Sequence, residues 1–150
     1  MNTSDWPIID IYSRKQAIAD GYQIEANPKT RAGAGIKFPV FLTRSVYQKY
    51  IRIPKDFDQW GQSEDGRLCD LFTMFRQYAR SADSSFITFK FIVCMPDKGD
   101  WLPNEKWERS MNERGDMQKT HRLVTLEAEI GPFDFDDPSP AITIMLPGED

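Results

Sequence analysis

The stretch from Gly66 to Ser81, GRLCDLFTMFRQYARS, limits what this chain can fold into more than any other. Leu68, Leu71, Phe72, Phe75, Tyr78 and Ala79 recur at the i, i+3, i+4, i+7 spacing that collects side chains on one helix face. Arg67, Asp70, Thr73, Arg76, Gln77 and Arg80 take most of the opposite face. A stripe carrying two phenylalanines and two leucines must be buried against an apolar partner, and the chain supplies one directly. Phe86 to Met95, FITFKFIVCM, is rich in β-branched and aromatic residues and follows a turn-like break at Asp83-Ser84-Ser85. The expected unit is one apolar helix laid across a β-sheet. Cys69 and Cys94 fall inside this helix and strand, and both read as small core hydrophobes rather than a disulfide pair.

Composition adds bounds. The 150 residues form one expected α+β domain, 1–150, with 40% apolar and 28% charged residues, the balance of a soluble globular protein. Aromatics at 13% make the core or a surface ring-rich. No apolar run approaches the roughly 20 residues needed to span a bilayer, so no membrane partner is expected. The start, MNTSDWPII, lacks the basic and apolar regions of a secretory leader. A reducing cytoplasm is the simplest setting for two unpaired thiols. The formal charge of −4 is uneven: Leu123 to Asp150 holds seven of the 23 acids and none of the 19 bases, leaving the first 122 residues at +3. No dense basic patch marks a nucleic-acid surface.

Taken in order, Ile8, Ile9 and Ile11 form a short strand or docking arm. Ser13-Arg14-Lys15-Gln16 has capping-box form, predicting a helix over Arg14–Asp20 with Ala17 and Ile18 inward and Gly21 closing it. Tyr22–Ala26 alternates like a strand. Asn27–Gly35 reads as a loop or frayed helix turn, and Phe38-Pro39-Val40 as extended chain. Thr43 caps a helix over Arg44–Tyr50 that Pro54 ends. Asp56 to Gly61 is a loop carrying Phe57 and Trp60, and Ser63 or Asp65 caps the central helix. The segment from about 96 to 118 is a long irregular insertion with Trp101 and Trp107, of which Asn104–Asn112 is a candidate helix. His121–Ile130 alternates, with Val124, Leu126, Ala128 and Ile130 on one face. Gly131–Pro140 is an expected acidic loop and Ala141–Leu146 the last strand. Three late strands in succession imply an antiparallel meander packed on one face by the central helix and shorter helices.

Four segments together carry a resemblance: YSRKQAIADG at Tyr12–Gly21, FPVFLT at Phe38–Thr43, EDGRLCDLFTMFRQYAR at Glu64–Arg80 and ITIMLPGED at Ile142–Asp150. The combination resembles a family of small proteins of unknown function encoded by plasmids, integrative elements and bacteriophages. The similarity runs from about Ile9 to Asp150. Relatives often read Gly-Arg-Leu-Trp-Asp where this helix has Cys69, and Gly-Pro-Gly-Asp where this chain has Gly131-Pro132-Phe133-Asp134. The resemblance implies a mobile-element origin and brings no activity, cofactor or catalytic residue.

The residues themselves offer little catalytic material. His121 is the sole histidine, so any Ser-His-Asp or Cys-His arrangement must use it. Its ordinary reading is a strand-edge residue without a task. Two cysteines and one histidine fall short of the four ligands of structural zinc. Asp134, Asp136 and Asp137 place hard oxygen ligands together, which suits calcium or magnesium, but without EF-hand spacing. The plainer reading is a solvated turn whose aspartates bond the local backbone. Glu127 and Glu129 share a strand face and extend that negative surface, a feature that attracts basic partners or imitates phosphate spacing; an ordinary solvated sheet face competes with it. Trp101 and Trp107, followed by Arg109 and Arg114, have the composition of an interaction hot spot. Rings of this size also fold back for cover.

The expectation is therefore a non-catalytic binding protein of a mobile element, an inhibitor or adaptor of a host defence factor. Its binding residues are Trp101, Trp107, Arg109, Glu127, Glu129, Asp134, Asp136 and Asp137, with no metal or cofactor. The partner is a host protein, and a homodimer stays open. A carboxylate-dependent metal enzyme built on Asp134, Asp136, Asp137 and Glu129 is the alternative, and a nucleic-acid-binding accessory protein the third.

Overall fold

The structure, a computed structural model, describes residues 12–55, 61–108 and 121–149. The expectations for Ile8–Ile11, for Phe57 and Trp60, and for Arg109 and Arg114 lie outside them. The elements run α1 (Arg14–Ala19), β1 (Gln23–Glu25), α2 (Pro28–Gly33), β2 (Val40–Thr43) and α3 (Arg44–Val46), which continues into a π-helical turn at Tyr47–Ile51. Then come α4 (Glu64–Arg80), β3 (Phe86–Cys94), β4 (Glu105–Trp107), β5 (His121–Asp134) and β6 (Asp137–Met145). This is the expected α+β layer. The capping box at Ser13 and Gln16 is present, and the Ser63 hydroxyl accepts from Gly66 N at the start of α4.

The strands form one sheet in the order β1-β2-β6-β5-β3, and β4 also pairs with β5. All pairings are antiparallel except β2 with β6. β5 carries β3 along one side from His121 to Glu129. Its other side is divided: β4 takes Arg122–Val124, and β6 begins at Glu127.

The two faces follow from the period-two alternation. Val124, Leu126 and Ala128 pair with Phe91, Phe89 and Ile87, and Ala128 also with Ile144. This set meets Leu68, Leu71, Phe72 and Phe75 of α4, and Phe72 is fully buried. Phe75 and Phe89 stack edge to face with centroids 5.6 Å apart. The helix stripe is thus consumed in sheet contact. A second, smaller cover lies on the far face. Phe41 is buried apart from the main core, and the Arg14 guanidinium of α1 sits 4.3 Å above its ring.

Four local expectations are corrected, and one left between two readings is decided. Asn104–Asn112 is not helical in its described part: Glu105–Trp107 is β4, because β5 still has unpaired backbone beyond the end of β6. Gly131–Pro140 is not a loop but the two arms of a hairpin, turning only between Asp134 and Asp137. For Asn27–Gly35 the helical of the two expected readings holds: α2 starts at Pro28 and is capped by the Asn27 side chain. Cys69 is exposed and Cys94 half-buried, so neither is a core residue; both lie off their element's apolar phase. Arg67 is not on the solvent face of α4: it is 4% exposed. Among the described residues no helix is long and apolar enough to cross a membrane.

Candidate functional site

The polar residues that the fold brings together lie where β3 ends, β4 begins and β5 starts. Arg122 continues the inward phase of Val124 and Leu126, so it points to the core side and is 1% exposed. Its Nη1 donates to Glu105 Oε1 at 2.9 Å, and its Nη2 donates to Asp100 Oδ1 at 2.9 Å and the Pro96 carbonyl at 2.6 Å. The guanidinium carbon lies 4.4 Å from the centroid of the Trp101 ring, a cation–π contact. Trp101 is itself fixed by its indole N–H, which donates to Asp97 at 2.8 Å. Glu105 accepts further bonds from Leu102 N at 3.0 Å and from the Tyr50 hydroxyl at 2.5 Å. Asn104 Nδ2 donates to that hydroxyl and to the Thr125 carbonyl. A carboxylate this buried is tolerable because both of its oxygens meet donors and a cation stands beside it.

The titration directions match the contacts. The Arg122 hydrogen bond holds Asp100 below the usual carboxylate range, against a smaller opposing effect of burial. Burial first, and the Glu105 bond second, push the Tyr50 phenol up.

Arg67 is the second buried cation. It enters from the first turns of α4 and donates to the carbonyls of Tyr50 (3.4 Å), Arg52 (3.0 Å) and Cys94 (2.6 Å). It thereby ties the end of the π turn to the end of β3. Burial lowers its affinity for the proton. No carboxylate among the described residues pairs with it. Arg67 and Arg122 both line a cavity of about 240 Å³. Arg67 also borders a larger groove of about 470 Å³ between α4 and β3, with Asp70, Met74, Tyr78, Lys90 and His121.

The predicted site residues divide. Trp101 folds back as the lid on Arg122. Trp107 stands opposite Arg122 in the β4–β5 ladder and is 41% exposed. Trp101 thus stacks on Arg122, and Trp107 is the cross-strand neighbour of the same residue. Glu127 and Glu129 do share the face away from α4; Glu127 accepts from Gly148 N at 2.9 Å, and Glu129 is exposed. Asp134 takes on a structural role. Its two carboxylate oxygens accept from Arg14 N and Lys15 N at 3.1 Å each, capping α1 from across the chain, and one also accepts from Phe135 N. Asp137 accepts from Ser139 in a local turn, and Asp136 is exposed. Among the described residues no three Asp, Glu, His or Cys side chains converge as metal ligands.

The structure also sets Cys94 directly opposite His121 in the β3–β5 ladder. The pairing resembles a Cys–His dyad in placement but not in chemistry. Burial raises the Cys94 thiol, and the nearby Arg67 charge offsets this only in part, whereas a nucleophile needs a lowered value.

Sequence reasoning missed both buried arginines, although the signal was present. Arg122 sits two residues before Val124 in the same alternation. Arg67 precedes Leu71 by four, on the stripe.

Comparison with family models, with curated proteins and with solved structures finds no match to this chain.

Proposed function

We propose that this chain is a non-catalytic binding protein of a mobile genetic element, an inhibitor or adaptor that engages a host defence factor through protein–protein contact. The observation that carries the reading is Trp107. The residue is 41% exposed yet held on a hydrogen-bonded strand, with Glu108 N donating to the His121 carbonyl at 3.0 Å just beyond it. A large ring presented on rigid backbone loses little conformational freedom on binding, which is what an interface anchor requires. Trp101 supports the same surface from beneath by holding Arg122. Glu127 and Glu129 lie on the other face of the sheet, away from α4, so they act on a basic partner through long-range attraction and not as part of the Trp107 surface.

The test compares wild type with Trp107→Ala against a partner first captured from host lysate and then purified. Calorimetry should show a loss of about 2 kcal/mol or more, the signature of a hot spot, with the unfolding midpoint unchanged. Equal affinity of the two proteins for the partner would remove Trp107 from the interface and this reading with it.

A further inference from the structure

The strand order β1-β2-β6-β5-β3 ends in two strands that are finished differently. β1 is three residues long and carries Glu25, the brief, charged kind of edge that resists pairing with other chains. β3 runs nine residues, Phe86–Cys94, in unbroken register with β5, without proline, glycine or bulge and with Lys90 as its one charge. Ile130 N donates to the Ser85 carbonyl at 2.8 Å, one step beyond the Phe86–Glu129 pair of that register. Hydrogen-bonded pairs alternate in an antiparallel ladder. Ile87, Phe89, Phe91 and Val93 therefore bond β5, and the backbone groups of Phe86, Thr88, Lys90, Ile92 and Cys94 point to the open side. The ends of that side are tied within the chain. Phe86 N donates to Ser84 Oγ at 3.1 Å, and the Cys94 carbonyl accepts from Arg67 at 2.6 Å. Between them, Thr88, Lys90 and Ile92 have no backbone partner on the open side among the described residues. The groove of about 470 Å³ beside α4 is lined by every residue from Lys90 to Cys94. Successive residues alternate between the two faces, so a groove that touches all of them follows the strand's bare edge.

We propose that a second copy of this chain pairs with this edge, β3 antiparallel to β3, about a two-fold axis at Phe89. A row of amides and carbonyls at strand spacing is complementary to extended backbone and to little else. Two-fold symmetry makes the copy's own β3 a match in length and pattern. Lys90 helps to select the register. An axis at Lys90 would set two ammonium groups directly opposite each other, which is unfavourable. An axis at Phe91 would set Thr88 opposite Cys94, whose carbonyl Arg67 already holds. The axis at Phe89 sets Thr88 opposite Lys90 and Phe86 opposite Ile92. The open groups of Thr88 and Lys90 then satisfy one another. Phe86, 47% exposed, gains an apolar neighbour on the face away from α4. The pairing uses up the β3 edge, so assembly closes at two chains. This edge lies across β5 from β4, so the inference stands apart from the Trp107 reading.

Sedimentation velocity of the full chain over a concentration series tests this. A species of twice the chain mass, growing with concentration, is expected. Thr88→Pro removes an amide that points away from β5, so the ladder within the chain keeps its bonds. Each copy then loses a bond to the other, and the dimer should weaken by about tenfold or more, with the circular dichroism of the monomer unchanged. Charge at the same exposed position supplies a second reading. Thr88→Glu places a carboxylate opposite Lys90 of the second copy and should tighten the dimer by about threefold, and Thr88→Lys should weaken it by a similar factor. Glu127 stands opposite Thr88 within the chain, in monomer and dimer alike, so its effect cancels from the dissociation constant. Should Thr88→Pro fail to fold, the two charge variants decide. A monomer at every concentration, a dimer undiminished by Thr88→Pro, or charge variants that do not shift the constant in opposite directions would overturn the proposal.

Discussion

Arg122 and Arg67 are both buried guanidinium groups, yet they differ in what their loss would strand. Arg122→Met leaves Glu105 as an unpaired carboxylate in the core, and breaking a buried pair in this way costs about 3–5 kcal/mol. Arg67→Met leaves three carbonyls short of a donor but removes a charge with no carboxylate partner among the described residues, so the cost should be lower, about 1–3 kcal/mol. Urea unfolding of the two variants should rank Arg122→Met as clearly the less stable; the reverse order would mean that Arg67 has a counter-charge. Asp100 gives the pH signature of the same cluster. Its carboxyl is depressed in the folded state, so its stabilising contribution is complete above the unfolded carboxylate value of about 4 and is lost as pH falls through the folded one. Because its side chain is 59% exposed, the contribution is under about 1 kcal/mol. Asp100→Asn should therefore be slightly less stable than wild type at neutral pH and equal to it in acid, as read by thermal unfolding from pH 7 to pH 2.

At the scale of elements, α4 and its neighbour α2 show how backbone and side chain constrain each other. Phe72→Ala opens a void in a fully buried layer and should cost about 3–5 kcal/mol in denaturant unfolding. Gly35, just after α2, has φ +82°, and a Cβ there would lie 2.8 Å from Arg76 Nη1 of α4. That guanidinium donates to the Ala34 carbonyl. Gly35→Ala thus combines a left-handed backbone, costing about 1–2 kcal/mol, with displacement of the contact that ties α2 to α4. Chemical denaturation should place this variant below wild type, and Arg76→Ala in the same background should recover part of the loss by making room. For α1 the constraint comes from afar. Asp134→Ala removes the carboxylate that caps the Arg14 and Lys15 amides and should cost about 1 kcal/mol, with amide exchange accelerated over Arg14–Ala19 and unchanged in α4.

Across the whole molecule, β5 is the strand on which the others depend. It is paired on both sides, by β3 and by β4 and β6, and its inward residues are fully buried. Native-state hydrogen exchange should find the amides of Val124, Leu126 and Ala128 among the slowest, opening only with global unfolding. Exchange there as fast as in β1 would mean that the sheet opens in parts.

Much of this architecture was legible because it is local. The helix stripe of Leu68, Leu71, Phe72 and Phe75, the alternation of Val124 to Ala128, and the caps at Ser13 and Ser63 are periodic or short-range, and the physics that forms them acts over a few residues. The parallel pairing of β2 with β6, the capping of α1 by Asp134 and the strand character of Glu105–Trp107 join residues far apart in the chain, so no local pattern contains them. The candidate site belongs to the second group. Trp101 and Trp107 were visible as rings, but what they surround was not. Arg67 and Arg122 stand in the inward phase of their elements, but a charged side chain in that phase reads as a surface residue until packing shows it buried. The amino-acid order alone determined which faces would be apolar and hence that a helix must cover a sheet. Tertiary structure decided which charges are trapped beneath that cover, because desolvation is set by neighbours in space rather than by neighbours in sequence.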